Sequence, residues 1–90
     1  MAVAFVRHTV ADYDKFRAVY DSVEDMQKQG GVLEEAVYRD ADSPNEVLVM
    51  HRFGSIDQAR AFFGNPQLKS AMGQGGVDVS TLRIEFYEEA

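Results

Sequence analysis

The chain has 90 residues, enough for a single domain spanning residues 1–90. A chain of this length buries only about 60–65% of its unfolded surface, so a homodimer that covers more of it is expected. Fifteen acidic residues against nine basic ones give a net charge of −6, which argues against nucleic acid and against an anionic membrane surface as partners. The absence of cysteine excludes a disulfide framework, a zinc-thiolate site and a thiol nucleophile.

Val3 to Val10 is β-branched and apolar and ends at Ala11-Asp12, where the aspartate can cap a helix. From Asp12 to about Gln29, Phe16, Val19, Tyr20, Val23 and Met26 recur at helical spacing, and Gly30-Gly31 closes the helix. Leu33 to Arg39 and Glu46 to Phe53 read as a hairpin around the turn residues Asp40 to Asn45. Ser55 and Gln58 have capping-box spacing ahead of a helix that buries Ile56, Ala59, Phe62 and Phe63. Asn65-Pro66 then starts a fresh helix carrying Leu68, Ala71 and Met72, which dissolves in Gly73-Gln74-Gly75-Gly76. A last strand runs from Thr81 to Tyr87. The order β-α-β-β-α-β predicts an α+β, ferredoxin-like fold with an antiparallel-rich four-stranded sheet.

Shifting the sequence by 43 residues superimposes Val6 on Val49, His8 on His51, Asp14 on Asp57, Arg17 on Arg60 and Ala18 on Ala61, five identities in fifteen positions. This suggests two βα halves of common design. If the first and third strands lie side by side and parallel, as right-handed crossovers onto one face suggest, His8 and His51 become neighbours. A period of two puts Ala4, Val6, His8, Ala36, Tyr38, Val47, Val49, His51, Phe53, Leu82, Ile84 and Phe86 on the face covered by helices. Phe5, Arg7, Val37, Arg39, Leu48, Met50, Arg52, Arg83, Glu85 and Tyr87 fall on the other, mixed face. That second face is the expected dimer contact.

On this layout, His8 and His51 sit under the helices among aromatic and aliphatic side chains. Such an apolar pocket with a few polar groups suits a small apolar or aromatic molecule, and a neutral imidazole is a suitable base. The expected lining is Phe16, Tyr20, Tyr38, Phe53, Phe62, Phe63, Leu68, Met72 and Ile84. Two histidines without thiols make a poor metal site. The glycine run lacks the strand, helix and lysine of a phosphate loop, and the serines are placed as caps and turn residues. No cofactor is expected. With no apolar run near the ~18–20 residues of a membrane span, and a start at Met1-Ala2-Val3-Ala4 without a basic leader, a cytoplasmic location is expected.

Three stretches carry a family resemblance: Val6-Arg7-His8-Thr9-Val10-Ala11-Asp12-Tyr13-Asp14-Lys15-Phe16, the hairpin from Tyr38-Arg39 to Pro44-Asn45-Glu46-Val47, and Phe62-Phe63-Gly64-Asn65-Pro66-Gln67-Leu68 followed by Met72. They resemble the antibiotic biosynthesis monooxygenases, a group that also includes proteins described as cyclases, within the dimeric α/β barrel superfamily. The resemblance implies pairing as a dimeric α/β barrel, with a ligand held between sheet and helices. It also implies cofactor-independent oxidation of a phenolic or polyketide-like substrate, with polyketide cyclisation or isomerisation, or a non-catalytic ligand-binding or stress-response dimer, as alternatives. Haem-degrading members carry a tryptophan and a histidine in the second helical region; here Phe62 or Phe63 and Met72 stand near those places, so haem is not implied.

Overall fold

A computed structural model describes all 90 residues, Met1–Ala90. Ala2–Val10 forms β1, and Asp12 turns the chain into helix α1, Tyr13–Ser22, by accepting the backbone N–H groups of Asp14 and Lys15. The expected continuous helix to Gln29 is broken at Val23, after which α2 spans Glu24–Gln29. No proline or glycine causes the break. The Ser22 hydroxyl donates to the Val19 carbonyl at 2.6 Å, the acceptor that the Val23 N–H would use in an α-helix, and the Val23 N–H turns to Tyr20 O instead.

Strands β2, Glu34–Arg39, and β3, Glu46–Phe53, form the hairpin. Its turn is held by the Asp40 carboxylate, which accepts from the N–H groups of Asp42 and Ser43. Ser55 caps α3, Ile56–Phe63, and Asn65 caps α4, Pro66–Gln74. Gly76, at φ 76°, hands the chain to β4. This strand covers Val77–Glu88 and so begins four residues before the expected Thr81. The early part escapes the alternation pattern because the β1–β4 register slips between Arg7 and Thr9, and the Thr81 hydroxyl takes the Thr9 N–H at 2.9 Å.

The sheet order is β2-β3-β1-β4, and every pairing is antiparallel. The expected parallel contact between the first and third strands is therefore wrong. Each helical crossover does join parallel strands, β1 to β2 and β3 to β4, but a strand of the other half is inserted between them. Val6 lies opposite Val49, His8 opposite Val47, and His51 opposite Ala4. Because Val6 and Val49 are also equivalent in the repeat, a pseudo-twofold passes through that pair. His8 and His51 thus lie on one face but are displaced by four residues, about 13 Å along the strands, rather than side by side.

The helices cover that face. Val6, Val10, Phe16, Val47, Val49 and Val77 form one buried cluster, and Ala4, Phe53, Ala59, Phe62 and Leu68 form a second. The phase of β2 is opposite to the expected one. Val37 lies opposite Val49 and packs on the core, whereas Ala36 and Tyr38 lie opposite Met50 and Leu48 on the open face. An edge strand that reads Glu-Glu-Ala-Val-Tyr-Arg is exposed at both ends, so its polarity pattern carries too little contrast to fix the phase.

Candidate active site between sheet and helices

Helix α1 presents Phe16, Val19 and Tyr20 to the sheet, α4 presents Leu68, Ala71 and Met72, and a cavity of about 50 Å³ remains between them over Val6, His8, Val49 and His51. Val23, Gln27, Phe63 and Gly75 complete the lining. At this volume the cavity holds a few waters at most, so admitting an aromatic ligand requires side chains to move. Met72, unbranched and half-buried, is the most adaptable of the lining groups.

His51 is 3% exposed and is enclosed by aromatic rings. Tyr20 and Phe63 stack on it with centroids at 6.1 and 5.9 Å, while Phe62 and Phe53 meet it edge-on at 5.6 and 6.2 Å. Burial in this apolar box pulls its pKa down to about 4. The ring is therefore neutral at neutral pH. His51 Nε2 lies 3.0 Å from the Tyr20 hydroxyl, and that hydroxyl donates to Glu35 Oε2, also at 3.0 Å. The Tyr20 pKa is raised by burial and by the neighbouring Glu35 carboxylate, so the hydroxyl keeps its proton.

His8 is 2% exposed and meets Phe16 edge-on at 5.2 Å. Burial lowers its pKa as well. The Nδ1 atoms of both histidines are buried without a hydrogen-bond partner, which is uncommon for buried polar atoms and marks them as groups with unused capacity. No three carboxylate, imidazole or thiol groups converge in a way that could hold a metal ion.

No family model and no curated protein matches the sequence, but the fold has close counterparts among solved structures. SnoaB from Streptomyces nogalater, described as a cofactor-independent oxygenase, superimposes with a TM-score of 0.78 at 17% identity, covering 99% of this chain and 93% of SnoaB. A candidate antibiotic biosynthesis monooxygenase from Bordetella bronchiseptica gives a TM-score of 0.82 at 9% identity, covering 99% and 96% of the two chains. Another from Caulobacter crescentus gives 0.78 at 18% identity, covering 99% and 89%. The chain has the antibiotic biosynthesis monooxygenase fold.

Within this monooxygenase fold, the residues expected to form the site divide into three groups. His8, His51, Phe16, Tyr20, Phe63, Leu68 and Met72 line the cavity. Phe53, Phe62 and Ile84 stand behind it: Phe53 and Phe62 are buried in the second core cluster, and Ile84 packs on the first. Tyr38 is misplaced, because the reversed phase of β2 puts it on the open face with 54% of its surface exposed.

Sequence reasoning missed Gln27 and Glu35. Gln27 is 5% exposed and continues the stripe of Phe16, Tyr20 and Val23 at four- and three-residue steps, so a polar residue at an apolar position was the available signal. Glu35 carries no such signal, since its role depends on the phase of β2.

Proposed function

We propose that this protein is a cofactor-independent monooxygenase of a phenolic or polyketide-like aromatic substrate, with a buried histidine as base, and that it works as a homodimer. The observation that carries the reading is a pair of neutral, buried imidazoles with unpartnered Nδ1 atoms on one apolar cavity. A neutral imidazole has a free lone pair to take the phenolic proton, and the apolar box around His51 keeps that lone pair free at neutral pH. The resulting electron-rich phenolate reacts with dioxygen at a ring carbon. One oxygen atom remains as the new quinone carbonyl, and the other leaves as water with the two hydrogens that the phenol loses. All four electrons that dioxygen takes up come from the substrate, so the balance needs no further reductant. The likeness in fold to SnoaB supports this reading.

The test is oxygen uptake and quinone absorbance with polycyclic phenols in the presence of a chelator. The His8→Ala/His51→Ala variant should lose about 10²–10⁴-fold in rate while keeping its circular dichroism. Turnover at the parental rate in that variant would make the histidines structural. Saturable binding of phenols without any oxygen uptake would point to a non-catalytic binder.

A further inference from the structure

The hydroxyl of Tyr20 has one proton and two close partners, Glu35 Oε2 and His51 Nε2. An ionised carboxylate can only accept. Tyr20 therefore gives its proton to Glu35, and its oxygen is left to accept from His51, which requires hydrogen on Nε2. That assignment leaves the lone pair on Nδ1, the buried atom with no partner. His8 has no counterpart of this arrangement: its aromatic neighbour is Phe16, which lacks a hydroxyl.

We propose that Glu35, acting through Tyr20, sets the tautomer of His51, so that His51 Nδ1 rather than His8 is the base that receives the substrate proton. This rests on the proposed oxygenase reading. Glu35 and Tyr20 are positioning residues. When Nδ1 takes a proton, the imidazolium keeps Nε2–H on the Tyr20 oxygen, and the Glu35 carboxylate balances the new charge through the hydroxyl. The triad of serine hydrolases uses the same principle, with a carboxylate that orients an imidazole without taking its proton. The groups facing the relay are Arg17, whose guanidinium lies 5.3 Å from the Tyr20 ring centroid, and Gln27, whose amide adjoins the Tyr20 hydroxyl.

The deciding experiment replaces the acceptor-only group. In Glu35→Gln the amide can donate to the Tyr20 oxygen, which frees the Tyr20 proton for His51 Nε2 and moves hydrogen to Nδ1. Long-range ¹H–¹⁵N spectra of histidine-labelled protein at pH 7 should show Nε2–H at His51 in the parent and in Glu35→Asp, and a gain of Nδ1–H in Glu35→Gln. Glu35 is exposed on an edge strand, so these variants should fold.

With a phenol that is turned over, Glu35→Gln should lower kcat about tenfold with KM unchanged, and Glu35→Asp should restore most of it. The loss is smaller than the ~10⁴-fold of a buried triad aspartate because Glu35 is solvated. An unchanged tautomer in Glu35→Gln overturns the proposal, and so does His51→Ala retaining the activity that His8→Ala abolishes. If the parent oxidises no phenol, the oxygenase reading fails, and the spectra alone decide whether Glu35 controls His51.

Discussion

At His51, a strand places an imidazole where four aromatic rings remove it from water, and the consequence can be measured without a substrate. The folded protein keeps this ring neutral down to about pH 4, whereas the unfolded chain takes up the proton near 6.5. Between those values the unfolded state binds more protons, so stability is complete above about pH 6.5, declines as the pH falls, and levels off below about 4. His8, lowered by burial in the same direction, adds to the decline. The His51 share is about 3 kcal/mol across the window. Urea midpoints between pH 7.5 and 4.5 should fall less steeply in His51→Gln than in the parent; identical slopes would show that His51 is not held neutral. The residues of this box were largely legible in the sequence, because histidine at an alternating apolar position and phenylalanines at helical spacing identify themselves. Tyr38 and Glu35 were not, since one frame error in β2 exchanges the residues on the helix-covered face for those on the open face.

Among the elements, the caps were the clearest signals. Asp12, Ser55 and Asn65 each accept backbone N–H groups at the helix starts that their side chains announce. Asp12 satisfies two of these otherwise unpaired donors while α1 carries Phe16 and Tyr20 onto the cavity. Replacing it by alanine should cost about 1 kcal/mol, read as a lower urea midpoint at constant m-value. The same change should loosen the end of α1 nearest Phe16, seen as faster amide exchange at Asp14 and Lys15. The break at Val23 had no comparable signal. Serine is tolerated in helices, and whether its hydroxyl takes a carbonyl from the ladder depends on the rotamer that packing selects. The strand directions were missed for a different reason. The repeat correctly related the two halves, but a repeat fixes equivalence and not the sense in which equivalent strands meet; interleaving turned the expected parallel neighbours into an antiparallel pair about Val6 and Val49.

For the whole molecule, the open sheet face presents Phe5, Leu48 and Met50, half-buried, beside Tyr38 and Tyr87, which are about half exposed. Phe5 and Tyr87 meet edge-on at 5.8 Å, and around them Arg7 pairs with Glu46 at 2.6 Å and Arg52 with Glu34 at 3.3 Å. An apolar centre rimmed by paired charges has the composition of an interface. Sedimentation equilibrium at micromolar concentration should give twice the 10.1 kDa chain mass. Met50→Glu, which would set an unpaired carboxylate in the contact, should raise the dissociation constant at least ~100-fold. Only the 10.1 kDa species in the parent would remove the homodimer from the proposed function.

The sheet order also decides how copies of this chain can meet along the other direction. An open sheet ends in backbone groups that have no strand beyond them, and such an edge is a template for another chain. Here the edges are β2 and β4. The first has only six residues, four of them exposed, and includes Glu34, Glu35 and Arg39. The second is interrupted where the register slips, and the Asp78 carboxylate accepts the Ser80 N–H within the strand itself. A strand added at β2 would have to lie against those carboxylates, and one added at β4 would have to cross the irregularity. Pairing across the face about a twofold stops at two copies, whereas pairing along an edge can repeat without end. The placement of a few charges and one bulge therefore favours the finite assembly over the fibre.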